Sequence, residues 1–272
     1  MLTTVIQWNP DGTVIDLGFF ALRYYSLFFV LAFVGSYLVL TKQFKKHGVA
    51  LELLDNLTIY VFLGTLIGAR LGHCLFYDYA YYVNHPLEII LPVSFSPNFH
   101  ITGFKGLASH GGGIGIILSI LFFCRKYHMR TWFILDQVAL VVPLAGFFIR
   151  LGNLMNSEII GRATDVYWAF VFVKEDLVPR HPAQLYEAII YLSIFLLIHR
   201  QANRYPKKEG YYFGLVLVLL FSFRLLIEFL KENQVAFEVD MLLNVGQLLS
   251  IPLILFGLII IYLKRNNTVQ MR

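Results

Sequence analysis

Charge is scarce in this chain: Asp, Glu, Lys and Arg make up 14% of its 272 residues, against 58% hydrophobic ones. That balance excludes an ordinary soluble domain, in which about a quarter of residues are charged. Cysteine is scarcer still. Cys74 and Cys124 stand far apart, within or at the end of apolar runs; they indicate neither a disulfide framework nor a zinc site and read as core or lipid-facing residues. No glycine-rich phosphate loop follows a strand, which argues against a soluble-nucleotide enzyme. No cluster of His, Cys, Asp and Glu has metal-ligand spacing, so neither a metal nor an organic cofactor is expected. No internal repeat of useful period is visible. The first eighteen residues hold Asp11 and Asp16 but no lysine or arginine, so no cleavable signal peptide is expected and the first apolar segment should stay in the membrane.

What the chain does have is long apolar runs and a mean hydropathy of +0.66. With about 20 residues needed to span a bilayer, seven segments stand out: 19–40, 56–76, 107–124, 133–149, 184–199, 211–229 and 246–263. The expected fold is an all-α polytopic membrane protein, a single integral domain over 1–272. A net charge of +5 would raise nucleic acid as a partner in a soluble chain. Here the basic residues fall in short loops: Lys42, Lys45 and Lys46; Arg125, Lys126 and Arg130; Arg200, Arg204, Lys207 and Lys208; Lys264, Arg265 and Arg272. They mark the cytoplasmic side, with the N-terminus outside and the C-terminus inside; attraction to anionic lipid is secondary, and no nucleic-acid partner is expected. On the outer side, 77–106 is rich in tyrosine, proline and asparagine and reads as an interfacial arm. Residues 150–183 read as a small periplasmic head, with a short strand in 167–173 (YWAFVFV). Arg150, Arg162, Lys174 and Arg180 lie on this side against the charge rule, and binding a phosphate would account for them.

The densest polar stretch is RLGNLMNSE at 150–158, directly after the apolar run 138–149. A guanidinium, two amides and a carboxylate are costly beside lipid. If the helix continues, Asn153, Asn156 and Ser157 share one face. The stretch is either an interfacial helix end, with Arg150 snorkelling and the amides capping, or an anion-binding site at the membrane surface; the coincidence of so many polar groups favours the second. SHGGGIG at 109–115 combines close backbone approach with a helix start that offers N–H groups to a phosphate, and His110 could take a proton from a nucleophile. The same residues also suit small-residue helix packing around a hydrogen-bonded histidine. Arg224 and Glu228, four apart, form either a structural ion pair or a device that positions a guanidinium. Arg23 and Arg70, each taken alone, read as structural or snorkelling arginines. In HPAQLYE at 181–187, Pro182 suits a first helical turn and Glu187 the positive helix end. Capping and anchoring explain most of that motif, and Gln184 and Glu187 could support polar neighbours.

HGGGIG, RLGNLMNSEIIGR, HPAQLYE and FRLLIEF, in this order and at these separations, resemble the prolipoprotein diacylglyceryl transferase family over nearly the whole chain, from about Leu22 to Ile251. The resemblance implies a seven-helix inner-membrane enzyme that moves the diacylglyceryl group of phosphatidylglycerol to the lipobox cysteine thiol of a prolipoprotein. A thioether forms and glycerol 1-phosphate leaves. Phosphatidylglycerol and the prolipoprotein signal peptide would be its partners, and the active site would face the outer side. Carried over by motif, the resemblance assigns Arg150 and Arg224 to phosphate binding and leaving-group stabilisation, and Asn153 and Glu158 to orienting the headgroup or Arg150. His110 becomes the candidate base, or a structural or headgroup contact. Tyr25 matches an important tyrosine of the first helix, Gly161 would permit a tight turn, and Glu228 would hold Arg224. Asn156 and Arg70 complete the expected substrate-binding set. Ser109, Gly113 and Leu220 depart from the family's usual aromatic, larger apolar residue and tyrosine. From another class, a non-catalytic phospholipid- or peptide-binding membrane protein, or a channel, could use the same basic pocket; it would bind phosphatidylglycerol without consuming it. A secondary transporter is less favoured, because the polar groups gather at outer helix ends.

Overall fold

The computed structural model describes residues 5–18, 21–91, 93–94, 100–101, 106, 108–205, 207–232 and 241–265. Strands β1 (Ile6–Trp8), β2 (Thr13–Asp16) and β3 (Ala21–Arg23) lead into helix α1 (Tyr24–Lys46). Helix α2 (Leu51–Phe76) is followed by short α3 (Tyr79–Asn84) and α4 (Leu87–Ile90), then by paired β4 (Val93–Ser94) and β5 (His100–Ile101). Helices α5 (Ser109–Lys126) and α6 (Thr131–Asn156) precede β6 (Phe170–Phe172) and β7 (Pro179–Arg180). The chain closes with α7 (Ala183–Arg204), α8 (Tyr211–Ile227), a 3-10 turn over Glu228–Leu230, and α9 (Val245–Lys264). It divides into two compact units, one of Met1–Leu40 with Leu135–Arg272, the other of Thr41–Ile134.

Among the described residues five helices are long and apolar enough to cross a membrane: α1, α2, α6, α8 with its 3-10 turn, and α9. The other two expected segments are also helical, α5 with 18 residues and α7 with 22, but are not among those five. Composition explains the difference: α5 opens on polar and glycine residues, and α7 carries Gln184 and Glu187 at one end and His199, Arg200 and Arg204 at the other. Lys45 and Lys46, Arg125 and Lys126, Arg204 and Lys264 close α1, α5, α7 and α9, where cations meet the negative helix end.

The helix boundaries differ from the apolar runs in two places. Residues 21–23 pair with β2, so α1 starts at Tyr24; residues 19 and 20 of the expected first segment lie outside the described residues. Helix α6 runs through Pro143 and continues to Asn156, which makes the polar stretch its last two turns. Ser157 then turns left-handed, with φ of 58°. It therefore leaves the face it was expected to share with Asn153 and Asn156.

In the first unit, β6 pairs in parallel with β1 and antiparallel with β7. The FVF of β6 is buried throughout, as suits β-branched and aromatic residues, and it is the strand expected in 167–173. Trp8 Nε1 donates to the Leu154 carbonyl at 2.8 Å, tying the sheet to the end of α6 over a core of Leu154, Phe170 and Phe172. Farther along the helices, Ala139 and Leu140 pack with Ile194, Ile198, Tyr212 and Val216. Asp136 of α6 accepts from the backbone N–H groups of Gly210 and Phe213, each at 2.7 Å, and so caps α8 from another helix. Asn244 and Gln247 form a reciprocal capping box at the start of α9.

In the second unit α2 and α5 meet backbone to backbone. A Cβ on Gly64 would lie 2.7 Å from the Gly115 carbonyl, and one on Gly72 would lie 2.8 Å from Gly111 Cα. Glycines at 64, 68 and 72 face glycines at 111 and 115, the small-residue packing of membrane helices. Gly111 and Gly115 therefore serve helix packing, whereas a Cβ on Gly113 would meet nothing within 4 Å. Arg70, 7% exposed, donates through Nε to the Ile89 carbonyl at 3.1 Å and through Nη2 to the Glu88 carbonyl, with the Tyr82 ring 4.9 Å from its guanidinium carbon. It ties α2 to the segment that holds α3 and α4.

Candidate active site

The last turns of α6, the first turn of α7, the end of α8 and the start of α9 bring charge together within the first unit. Arg150 Nε lies 3.0 Å from Glu187 Oε2. That oxygen has no aligned hydrogen bond, so the contact is an ion pair without a directional bond. Arg150 Nη1 donates to Asn153 Oδ1 at 3.1 Å, Asn153 Nδ2 donates to Glu158 Oε2 at 3.0 Å, and Asn156 Nδ2 donates to Glu158 Oε1 at 3.0 Å. Glu158 is thus a carboxylate held by two amides, one of which also orients Arg150.

Lys231, 1% exposed, joins the two halves of the network. Its Nζ stands 2.9 Å from Glu228 Oε1 and 3.5 Å from Glu187 Oε1. Glu228 also accepts from Asn244 Nδ2 at 3.0 Å and faces Arg224 Nε at 3.7 Å. The expected Arg224–Glu228 pair exists but is the looser of the two, and Lys231 is the closer cation to Glu228. Arg224 keeps 30% of its side chain exposed, against 11% for Arg150, which leaves Arg224 the more accessible guanidinium. Tyr191 lies within electrostatic reach of both arginines, its ring against Gly146, where a Cβ would approach Tyr191 Cδ2 to 2.6 Å. Tyr25 packs on Gly152, where a Cβ would approach its ring to 3.0 Å, beside Arg150 and Glu158.

Backbone geometry fixes the loop after α6. Ser157 and Ile159 are both left-handed, with φ of 58° and 57°, a conformation that costs of order 1–3 kcal/mol for such residues. Gln184 Nε2 donates to the Glu158 carbonyl between them at 2.6 Å. The tight turn expected at Gly161 is made at Ser157 and Ile159 instead. Gly161 bridges Lys231 and sits so close to the His181 backbone that a Cβ would reach His181 Cβ at 2.6 Å. Outside the helices, Arg180 pairs with Asp176 and with Glu232, the latter at 2.7 Å. The Arg180 hydrogen bond holds the Asp176 carboxyl below the usual carboxylate range, and Asp176 in turn raises Arg180.

Of the residues expected at the site, Tyr25, Arg150, Asn153, Asn156, Glu158, Gly161, Arg224 and Glu228 gather in the first unit. Arg70 belongs to the second, with its guanidinium engaged as described. His110 falls in the first turn of α5, and its side chain lies outside the described residues. Two central groups escaped the sequence reading. Lys231 stands among no motif that marks it, and Glu187, whose place at a helix start suits a favourable charge there, is fully buried between Arg150 and Lys231. The signal for Glu187 was its place one turn beyond Gln184 on the same face. For Lys231 the signal was its separation of three from Glu228. Among the described residues no group of His, Cys, Asp and Glu is arranged to hold a metal.

Apolar spanning helices, with three cations and three carboxylates gathered at helix ends of the first unit, define a multi-pass membrane protein with a charged site. The family model of prolipoprotein diacylglyceryl transferase matches residues 12–263. A phosphatidylglycerol–prolipoprotein diacylglyceryl transferase of Bacteroides fragilis is 49% identical over 257 residues, covering 93% of this chain and 93% of its own. Proteins of the same description from Tolumonas auensis and Chloroherpeton thalassium are 42% and 40% identical, covering 97% and 96% of this chain and 99% and 94% of their own. The chain belongs to the prolipoprotein diacylglyceryl transferase family.

Proposed function

We propose that this protein transfers the diacylglyceryl group of phosphatidylglycerol to the lipobox cysteine thiol of a prolipoprotein. The cysteine sulfur bonds to the diacylglyceryl C3, the bond from C3 to the bridging phosphate oxygen breaks, and its electron pair stays with that oxygen, which departs as part of glycerol 1-phosphate. The thiol must lose its proton, since the thiolate is the nucleophile, and the phosphate gains negative charge as it leaves. The observation that carries the reading is the pair of guanidinium groups, Arg150 and Arg224, held in one network by Glu187, Lys231 and Glu228. Fixed donors aimed at developing charge are the largest single source of rate in many enzymes.

In this reading Arg224, the more exposed arginine, meets the phosphate. Arg150 is oriented by Asn153 and Glu158 and offers its remaining N–H donors alongside. Lys231 shares Glu187 with Arg150 and Glu228 with Arg224, so neither guanidinium is fully neutralised by its own carboxylate. Tyr25 and Asn156 line the approach, Gly161 keeps the Lys231 backbone close, Glu228 spaces Lys231 from Arg224, and His110 is the candidate base. Arg70 fixes the arm of the second unit. We extend the proposal to topology: α5 and α7 join the five apolar helices to make seven spans of an inner membrane, with the N-terminus and the site outside and the C-terminus in the cytoplasm. Residues 150–183 then form a periplasmic head and 77–106 an interfacial arm of a single integral domain. The basic ends of α1, α5, α7 and α9 support this orientation.

The test is transfer from labelled phosphatidylglycerol to a lipobox peptide by the purified protein, beside a matched peptide with Cys→Ser. Label on the cysteine peptide alone, with glycerol phosphate released, supports the transferase. Phosphatidylglycerol bound but unconsumed, under conditions where another family member turns over, would establish the non-catalytic binder instead.

A further inference from the structure

Four basic residues lie between α6 and α7, or just after α8, at the charged end of the first unit: Arg162, Lys174, Arg180 and Lys231. A fifth, Arg23, ends β3. Three of the five are engaged. Lys231 pairs with Glu187 and Glu228, Arg162 Nε donates to the Lys231 carbonyl at 2.9 Å, and Arg180 is divided between Asp176, Glu232 and the Gly161 carbonyl. Arg23 and Lys174 are not engaged: among the described residues neither has a carboxylate within ion-pair distance. Both line one cleft of about 220 Å³, together with Asp11, Gly12, Thr13 and Asn156.

The cleft is built by several elements. Thr13 and Arg23 are directly opposite in the β2–β3 hairpin, and the Tyr24 N–H donates to the Gly12 carbonyl at 3.1 Å, which fixes the hairpin at the start of α1. A Cβ on Gly12 would lie 3.8 Å from Lys174 Nζ, so the ammonium hangs over the hairpin turn. The fourth side is Asn156, whose amide donates to Glu158. One side chain therefore borders both the cleft and the Arg150–Asn153–Glu158 chain. Two unengaged cations, one carboxylate, a hydroxyl and an amide suit an anion that also carries hydroxyl groups. At about 30 Å³ per water, the space equals about seven waters. That admits a phosphate with a three-carbon polyol.

We propose that this cleft is a phosphoglycerol subsite, in which Arg23 and Lys174 bind the glycerol-phosphate group either as the headgroup of phosphatidylglycerol or as the free glycerol phosphate released by transfer. The choice of ligand rests on the transferase reading; the anion site itself rests on the cleft. Arg23 and Lys174 contact the phosphate, Asn156 and Thr13 the hydroxyls, and Asp11 sets a limit on the negative charge that can enter.

The experiment uses the full chain in detergent and in phosphatidylglycerol nanodiscs, with Arg23→Gln, Lys174→Gln, the double variant, and Arg23→Lys as the charge-retaining control. Both side chains are exposed, and melting of each variant at the wild-type temperature establishes folding. Equilibrium dialysis with radiolabelled glycerol 1-phosphate reads the free source, and the KM for phosphatidylglycerol reads the headgroup. The double variant is expected to weaken one of the two about tenfold, by loss of two charge-assisted contacts, with Arg23→Lys near wild type. Loss in dialysis alone assigns the cleft to the released product; a raised KM alone assigns it to the headgroup. Unchanged dialysis and unchanged KM in the folded double variant overturn the proposal, as does failure of the wild type to bind glycerol phosphate in dialysis with the KM unchanged. If no transfer occurs but dialysis still depends on Arg23 and Lys174, the cleft stands and the transferase reading falls.

Discussion

Replacing Lys231 with methionine isolates the charge that joins the two halves of the network. Its ammonium lies 2.9 Å from Glu228 and 3.5 Å from Glu187, and the residue is 1% exposed. With an effective permittivity of about 20, attraction at the shorter distance is about 6 kcal/mol, and removing three charges from water costs several kcal/mol each. The intact network is therefore close to balanced, but removal of one partner is not. Lys231→Met leaves Glu228 with Asn244 and a 3.7 Å contact to Arg224, and uncompensated buried charge of this kind costs about 3–5 kcal/mol. In a chain of this length that corresponds to a fall of about 10 °C in melting temperature. Thermal unfolding of the detergent-purified protein, followed by size-exclusion chromatography, is the assay. The companion variant Lys231→Met with Glu228→Gln removes one charge of each sign and should recover about 2 kcal/mol of the loss. Equal melting of Lys231→Met and wild type, or full additivity in the double variant, would refute the network as drawn.

Arg224→Ala should leave the melting temperature nearly unchanged, because its one described carboxylate partner is 3.7 Å away, yet lower kcat about 10²–10³-fold as a lost phosphate donor; a fall in melting temperature equal to that of Lys231→Met would make its role structural. Asp136→Ala removes the carboxylate that accepts from Gly210 and Phe213 and should destabilise by about 2 kcal/mol, Asp136→Asn by less, as read by the same unfolding assay. Gly72→Ala places a methyl 2.8 Å from Gly111 Cα and should cost about 1–3 kcal/mol, whereas Gly113→Ala should be tolerated; equal melting of the two would contradict backbone contact between α2 and α5. Because Arg180 holds the Asp176 carboxyl below its unfolded value, the pair's contribution is present above about pH 4 and is lost as pH falls through the folded value. With Asp176 one-third exposed it amounts to less than about 1 kcal/mol. The stability difference between wild type and Asp176→Asn, measured from pH 7 to pH 3, should close on acidification, and a difference that widens would reverse the assignment.

The sequence made some of this legible and hid the rest for physical reasons. Hydropathy is a local property, so seven apolar segments could be located, and each contains a helix among the described residues. RLGNLMNSE was legible because Arg150, Asn153, Asn156 and Glu158 bond within eight residues of one another. The FVF strand was legible from composition, although its partner, Ile6–Trp8, was not. Lys231 and Glu187 are 44 residues apart, and Asp136 and Gly210 are 74 apart; no periodicity links residues that meet only after helices pack. SHGGGIG left two readings because glycine serves both a close ligand and a close helix. The facing glycines at 64, 68 and 72 decide it for Gly111 and Gly115, and that choice required the neighbour. The direction of Arg70 was equally hidden, since its acceptors are carbonyls of the following arm, and a carbonyl leaves no mark in the amino-acid code.

The central claim is displacement at carbon with the phosphate as leaving group, and an oxygen label tests it most directly. Phosphatidylglycerol carrying heavy oxygen in the bridge between the diacylglyceryl C3 and phosphorus is incubated with the protein and a lipobox peptide, and both products are weighed by mass spectrometry. The account predicts the label in the released glycerol phosphate and an unlabelled diacylglyceryl group on the cysteine sulfur. Label retained on a diacylglycerol product, with no thioether formed, would mean cleavage at phosphorus and would contradict it.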